Sequence, residues 1–117
     1  MLRLKNISNK ENISLDLVCY LQSVSVKEDE IGNQIETPTN RLVYCAELPI
    51  NSSEFYKAGT AGVKPEHLLV VDIEEYDGET SVSYDNSIYS IYRSYPWSDG
   101  FLELYCNKKA GVQYGTD

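Results

Sequence analysis

The sequence predicts an all-β fold, specifically a small antiparallel six-stranded β-barrel with one short helix in the loop between strands 2 and 3. Turn signals made of Gly, Pro, Asn and Asp recur about every ten residues, a spacing typical of barrels and sandwiches. The segments between them are rich in β-branched and aromatic residues. A chain of 117 residues forms one domain, and closure into a barrel removes exposed sheet edges. We therefore expect a single domain over residues 1–117.

A long hairpin is predicted to open the fold. Residues 1–13 have no apolar period and are predicted to be a flexible arm, as are residues 108–117 at the other end. The first strand covers residues 14–27, and a phase shift after Leu21 predicts a bulge near Ser23. One face of this strand carries Leu15, Leu17, Cys19 and Leu21, and after the shift Val24 and Val26.

The second strand is predicted over residues 34–48, after a turn at Gly32 and Asn33. Pro38 lies inside it and cannot donate a ladder hydrogen bond, so the first part of this strand is expected to be an edge or irregular. Pro49 ends the strand.

A helix of about two turns is predicted next. Asn51 or Ser52 can accept the free amide hydrogen bonds of a helix start, and Glu54 suits its first turn. Gly59 suits the position just after the helix. Residues 60–65 contain Gly62 and Pro65 and are predicted to form a loop.

The rest of the chain is predicted to be a meander of four strands. Asp77-Gly78 and Asp85-Asn86 are signals of two-residue hairpin turns, which need positive φ. A third turn is expected at residues 96–100. The four strands are placed at residues 66–76, 80–84, 87–95 and 101–107.

The cysteines give no sign of a disulfide or a metal site. An odd number of three, in phase with apolar neighbours, predicts reduced core residues. Their spacings fit no zinc pattern, and His67 is the single histidine of the chain. We expect no metal and no cofactor. The three residues are Cys19, Cys45 and Cys106.

The sequence also predicts that the protein is not an enzyme. It contains no nucleophile-elbow, zinc-protease, P-loop or dinucleotide-binding motif. His67 could join a Cys and an Asp only through a spatial arrangement that the sequence does not indicate, and a single polar residue at a strand start is the simpler interpretation. Glu74 and Glu75 are adjacent, and adjacent residues of a strand point to opposite faces.

The charge is strongly acidic, with 18 Asp and Glu against 10 Lys and Arg, a formal net charge of −8. This argues against nucleic-acid readout, which needs a basic patch. Between Lys64 and Arg93 there is no Lys or Arg, and the acids there form either a solvated strand face or a surface that repels nucleic acid or meets a basic partner. They are Glu66, Asp72, Glu74, Glu75, Asp77, Glu79 and Asp85.

Ten tyrosines are more than a core of this size requires, because a buried hydroxyl needs a partner. Tyrosines near the C-terminus fall on both faces of the last predicted hairpin, so some must be exposed. Tyr combines apolar area with a polar tip and is enriched at protein–protein contacts. The predicted interface aromatics are Tyr89, Tyr92, Tyr95 and Trp97.

Three segments together resemble the phage head–tail joining proteins, also called head-closure, head-completion or stopper proteins. They are ELPINSSEFYKAGTAGVKPE at residues 47–66, EEYDGE at residues 74–79 and IYSIYRSYPWSDGFLELYC at residues 88–106. DEIGNQIE before them occupies the place of a D-x-x-G-N segment in that family. The variant is similar to that of Gram-positive phages and prophages of the PBSX type. Residues 1–12 lie outside the resemblance.

The resemblance implies a structural virion protein that joins the head to the tail and closes the DNA channel. Such proteins are small β-barrels that form a ring of about twelve copies below the portal and its adaptor. The segment 51–65 would be the channel-side gating element and a subunit contact, with Gly59 and Gly62 permitting its movement. Its matching residues are Ser53, Glu54, Phe55, Tyr56, Lys57, Gly59, Gly62, Lys64 and Pro65.

The implied partners are other copies of the chain, the portal or adaptor, a tail-completion protein, and DNA that passes without sequence-specific binding. The implied location is the host cytoplasm during assembly and then the head–tail interface of the particle. No run of 18 apolar residues indicates a membrane span, and residues 1–8 lack the apolar stretch of a signal peptide. The alternative is a small β-barrel module that binds protein or ligand outside virions.

Overall fold

The computed structural model describes residues 13–108, which form a closed antiparallel barrel of six strands with one α-helix. The strand order around the barrel is β1-β2-β3-β6-β5-β4. The predicted fold class, including the helix between strands 2 and 3, is confirmed. The elements are β1 Leu17–Glu28, β2 Gln34–Leu48, α1 Ser52–Thr60, β3 Pro65–Asp72, a 3₁₀ turn Ile73–Glu75, β4 Ser81–Tyr84, β5 Ser87–Pro96 and β6 Phe101–Lys108. The predicted arms lie outside the described residues, except that Ile13 is described and Lys108 ends β6.

The core fills the inside of the barrel. Alternate residues of each strand point inward, and each Leu or Val that is fully buried there contributes about 1.5–3 kcal/mol. All three cysteines are part of this core and free, as the sequence predicts. The buried interior consists of Cys19, Leu21, Val43, Cys45, Leu69, Val71, Val82, Tyr89, Leu102, Leu104 and Cys106.

β1 and β2 extend well beyond the barrel. β1 pairs with β4 only over Tyr20–Gln22, and β2 pairs with β3 only over Cys45–Leu48. Residues 23–39 therefore pair only with one another and form a two-stranded ribbon. The predicted edge character of the first part of β2 is correct, and Pro38 lies within this ribbon opposite Val24.

The predicted bulge near Ser23 is wrong. The β1–β2 register runs without a shift from Leu17 opposite Cys45 to Glu28 opposite Gln34. Val24 and Val26 change phase because they point to the outer face, where they are exposed. The sequence pattern marks the point where the core face ends, since the ribbon has no core.

The predicted hairpin at Asp77-Gly78 is also wrong. β3 ends at Asp72, whose side chain caps the 3₁₀ turn by accepting from the Glu74 amide at 2.9 Å. β4 then pairs with β1 and β5 instead of with β3. Of the two residues only Gly78 has a positive φ, so no type I′ turn forms. Residues 73–80 are thus a crossover between strands that are not neighbours.

The crossover is held at the base of the ribbon by Arg41. Its guanidinium donates to Glu75 at 3.0 Å and to the buried Glu79 at 2.7 Å. Burial raises the pKa of Glu79, but hydrogen bonds from the Asp77 amide and Arg41 outweigh it and leave the pKa lowered. Part of the acidic stretch therefore has a structural function.

The Asp85-Asn86 turn is confirmed. Both residues have positive φ, 52° and 67°, and they join Tyr84 directly to Ser87 across the β4–β5 ladder. This is the geometry of a type I′ hairpin turn, which Asn and Asp tolerate better than other side chains.

No helix within residues 13–108 is long and apolar enough to cross a membrane.

Candidate functional site

The segment 51–65, singled out by its resemblance, forms helix α1 and the loop that follows it. Asn51 is the N-cap, and its side-chain oxygen accepts from the Glu54 amide at 2.8 Å. Of the two residues predicted to cap the helix, Asn51 is therefore the N-cap. Ser52 and Ser53 form the exposed first positions of the helix.

The glycine that terminates the helix is Gly62, which follows the C-cap Ala61, and not Gly59. Gly62 has φ +78°, whereas Gly59 lies inside the helix, so the predicted C-terminal position is three residues too early. The Val63 amide donates to the Ala58 carbonyl at 2.9 Å and the Gly62 amide donates to the Gly59 carbonyl at 3.0 Å. These two bonds form a Schellman motif, which needs a left-handed residue that glycine adopts at little cost.

Glu54 attaches the helix to the outside of the barrel. Its side chain is 7% exposed, and its two oxygens accept from the Tyr92 hydroxyl at 2.7 Å and from Arg93 at 2.6 Å. A carboxylate in the first turn also meets the positive end of the helix dipole. The sequence indicates only this second function for Glu54, because its partners are 38 and 39 residues away.

A bulge in β5 makes this attachment possible. The β5–β6 register shifts between Ile91 and Arg93, which leaves Tyr92 as an extra residue. Consecutive residues of a regular strand point to opposite faces, but here Tyr92 and Arg93 both reach Glu54.

The buried Glu54 carboxylate is stabilised in its charged form. Burial raises its pKa, but the hydrogen bonds from Tyr92 and Arg93 and the charge of Arg93 outweigh this and lower the pKa below its usual range. Burial and the same hydrogen bond raise the pKa of Tyr92. The contact is therefore a charge-assisted one, stronger than a neutral hydrogen bond.

The attachment continues as a polar and aromatic network across the outside of β6. The Arg93 guanidinium carbon lies 4.0 Å from the centre of the Tyr105 ring. The Tyr105 hydroxyl donates to Glu103 at 2.7 Å, and the Trp97 indole donates to the other Glu103 oxygen at 2.9 Å. Burial and this contact raise the pKa of Tyr105 to about 12.

A cavity of about 380 Å³ lies between the start of the helix segment and the barrel. Apolar side chains and two aromatic rings form most of its wall, and the Glu103 carboxylate is its acidic group. The lining residues are Leu48, Pro49, Asn51, Leu68, Trp97, Glu103 and Tyr105.

The outer face of the helix is apolar and uncovered. Phe55 is 46% exposed and Tyr56 is 76% exposed. Lys57 and Lys64 are exposed beside them, and the ion pairs found within residues 13–108 involve neither. Of the predicted contact residues only Glu54 and Pro65 are buried, Pro65 because it begins β3.

The four predicted interface aromatics divide between the inside and the surface. Tyr89 points into the barrel and Trp97 is covered by the network on β6, so neither is exposed in the monomer. Tyr92 is partly buried against Glu54, and Tyr95 is 54% exposed. Two exposed tyrosines of the first hairpin, Tyr20 and Tyr44, are not among the predicted interface aromatics.

One end of the barrel interior is closed by a polar cluster around His67. Its Nδ1 lies 2.5 Å from Glu47 and its Nε2 lies 3.1 Å from the Tyr89 hydroxyl. Tyr84 donates to the other Glu47 oxygen at 2.8 Å. Burial and this bond raise the pKa of Tyr84. Both ring nitrogens of His67 are therefore hydrogen-bonded to oxygen atoms, and neither of these two hydrogen bonds involves a cysteine.

Two of the three core cysteines have raised pKa values. Burial raises the pKa of Cys106 to about 12. A hydrogen bond with Cys45, followed by burial, raises the pKa of Cys19, so both residues remain thiols. Within residues 13–108, no three His, Cys, Asp or Glu side chains are grouped so that they could hold a metal ion.

Compared with known proteins, the chain matches no family model and no curated protein.

Proposed function

We propose that this chain is a structural virion protein of a phage or prophage, which joins the head to the tail and closes the DNA channel as a ring. The observation that carries the proposal is the sequence resemblance at residues 47–66 together with the position of that segment in the fold. It forms a helix inserted between β2 and β3 of a closed six-stranded barrel, the architecture that the resemblance implies.

The surface of the molecule supports this proposal. The helix presents Phe55 and Tyr56 to solvent instead of to the barrel, which suits a contact made during assembly. A net charge of −8 per copy weakens phosphate binding, as a protein beside passing DNA requires. In this proposal the segment 51–65 is the channel-side gating element, Glu54 is its attachment and Gly62 its flexible end.

The test is a phage or induced prophage that lacks this protein. We expect DNA-filled heads and free tails that do not join, together with heads that lose DNA, as seen by electron microscopy of fractionated lysates. Complementation with the natural chain should restore joined particles. Normal numbers of joined particles without the protein would overturn the proposal.

Two variants separate the helix surface from general surface effects. Tyr56→Ser should fail to complement because it removes the most exposed aromatic ring of the helix. Ile73→Ser, at a 37% exposed apolar residue of the crossover, is the matched control and should complement fully. Equal complementation by both would argue against a function of the helix surface.

The cavity beside Trp97 favours a second candidate function, a small module that binds an apolar or aromatic group. At about 380 Å³ it falls within the usual size of ligand sites, and it combines apolar walls with one carboxylate. Screening by ligand-observed NMR with the monomer would test it, with Leu68→Trp as the variant that fills the cavity. Binding that survives Leu68→Trp, or no binding at all, would exclude this candidate.

A further inference from the structure

The outer face of the first hairpin carries an apolar strip. Directly paired residues share a face, and the register places Val18 beside Tyr44, Tyr20 beside Leu42 and Val24 beside Pro38. The uncharged pair Gln22 and Asn40 interrupts the strip, which ends at Val26 beside the acid Glu36. Its exposed large side chains are Val18 (37%), Tyr20 (41%), Val24 (58%), Val26 (53%), Leu42 (46%) and Tyr44 (58%).

The opposite face of the ribbon is different. Ser25 pairs with Thr37, and Ser23 pairs with Thr39, to which it is hydrogen-bonded at 2.8 Å. Nearer the tip this face carries the pair Lys27 and Ile35. Both faces of the ribbon are solvent-exposed, so exposure alone does not explain why one is apolar and the other hydroxylic. An uncovered apolar surface of this kind marks an interaction site.

A second set of exposed aromatic side chains belongs to α1 and β5. The set consists of Phe55 and Tyr56 on α1 and Tyr95 on β5, and we call it the helix patch. Glu54, the neighbour of Phe55 in the helix, is hydrogen-bonded to β5. Tyr95 points outward from β5 because it pairs with Glu103, which lies on the outside of β6. In the order β1-β2-β3-β6-β5-β4, one strand on each side separates the β1–β2 wall from the β6–β5 wall. The strip therefore lies on one of these walls, whereas Tyr95 and the attachment of the helix lie on the other.

We infer that the apolar strip of one copy packs on the helix patch of a second copy, in a head-to-tail contact. Two different surfaces are what a ring of identical subunits requires, whereas a two-fold dimer uses one surface twice. Only the closure of these contacts into a ring rests on the proposed function.

The charges around the two surfaces are complementary. The tip of the ribbon carries Glu28, Asp29 and Glu30, whereas the helix side carries Lys57 and Lys64. The ion pairs found within residues 13–108 involve neither these acids nor these lysines. A head-to-tail contact brings the two sets together, but a contact of the strip with itself would bring two acidic tips to the same interface.

The size of the strip explains why assembly needs more than one contact. It is about 27 Å long, from eight steps of about 3.4 Å, and about 10 Å wide. This is well below the roughly 800 Å² per partner of a stable complex. A closed ring holds each copy by two contacts, and salt that screens the −8 charge should favour it.

Crosslinking tests the contact directly. A chain with Val24→Cys and Tyr56→Cys, treated with a short bis-maleimide at high protein concentration in 1 M salt, should give a ladder of dimers, trimers and larger species, since about 3 Å is the screening length there. The natural cysteines are 0% exposed and should not react. Ser25→Cys with Tyr56→Cys, on the hydroxylic face, is the matched control and should give no ladder.

A mixing experiment tests the head-to-tail geometry. Val24→Asp blocks the strip and Tyr56→Asp blocks the helix patch, and each should weaken self-association by more than about tenfold in ultracentrifugation. At the high protein concentration and salt of the crosslinking experiment, their equimolar mixture should form a weak one-to-one dimer and no larger species, because each retains the surface that the other lacks and only one contact can form. Ser25→Asp should associate as the natural chain does.

Three results would overturn the inference: no ladder and no association of the natural chain, a ladder equally strong from Ser25→Cys, or dimers from Val24→Cys alone. The phage assay is separate from these. A ladder with normal particles in the deletion phage overturns the proposed function only, and unjoined particles without a ladder overturn the contact only.

Discussion

The barrel and the ribbon are built from the same two strands, yet they differ in what their residues contact. Within the barrel, β1 and β2 each pair on both sides and bury Cys19, Leu21 and Val43. In residues 23–39 the strands pair only with each other, and all the side chains are exposed except that of Asp29, which is partly buried. Two-stranded ribbons have little stability of their own. The barrel therefore supplies the stability of the fold, and the ribbon supplies surface.

The largest effect is expected from the barrel core. Leu104→Ala removes a side chain that is 0% exposed and leaves a cavity, so it should lower the free energy of unfolding by about 2–5 kcal/mol. Urea unfolding measures this. Leu42→Ala, the same change at a 46% exposed position on the strip, is the control and should cost less than about 1 kcal/mol. Equal losses would contradict the assignment of stability to the barrel.

The second effect concerns the attachment of the helix. Glu54→Gln removes a buried charge that holds Tyr92 and Arg93, and should cost about 1.5–3 kcal/mol at pH 7. Because the folded pKa of Glu54 is lowered, its contribution is complete above the unfolded pKa of about 4.3 and is lost as the pH falls through the folded value.

The difference between Glu54→Gln and the natural chain should therefore shrink below about pH 4.3. Unfolding curves at several pH values measure this. Glu74→Gln, the same change at an exposed acid of the 3₁₀ turn, is the control and should alter the free energy of unfolding by less than about 0.5 kcal/mol. A constant difference down to pH 2 would argue against a charged Glu54 in the folded protein.

The third effect separates the two glycines of the helix segment. Gly62→Ala places a Cβ at φ +78° and should cost about 1–2 kcal/mol, although no atom lies within 4 Å of that Cβ. Gly59→Ala is inside the helix, also meets no atom, and should stabilise by about 0.5–1 kcal/mol. Thermal or urea unfolding measures both. If both substitutions changed the free energy of unfolding in the same direction, Gly59 could not lie inside the helix with Gly62 in the left-handed position after it.

The sequence predicts the barrel well because its signals are local. Alternation identifies the strands, Asp85-Asn86 specifies a turn by its φ angles, and Asn51 marks the helix start. It fails at Asp77-Gly78, because a turn signal does not say which strands become neighbours. There the long-range contact of Arg41 with Glu75 and Glu79 decides the path of the chain.

The candidate site shows the same limit. Residues 51–65 are recognisable from the sequence, but the buried position of Glu54 depends on a bulge in β5 that brings Tyr92 and Arg93 to one side. The interface aromatics were predicted by composition, which cannot separate Tyr89 inside the barrel from Tyr95 on its surface. The apolar strip requires the β1–β2 register, since only that register aligns Val24 with Pro38.

The smallest effect on stability is expected in the ribbon. Val26→Asp changes a 53% exposed residue of the apolar strip, with no core behind it, and should alter the free energy of unfolding by less than about 0.5 kcal/mol. Ser25→Asp on the opposite face should do the same. Only Val26→Asp should abolish the crosslinked ladder, because only its side chain lies in the proposed contact. A loss of stability as large as that of Leu104→Ala would mean that the ribbon contributes to the stability of the fold. The exposed apolar face of the ribbon would then be explained by folding and would not need a contact with a second copy.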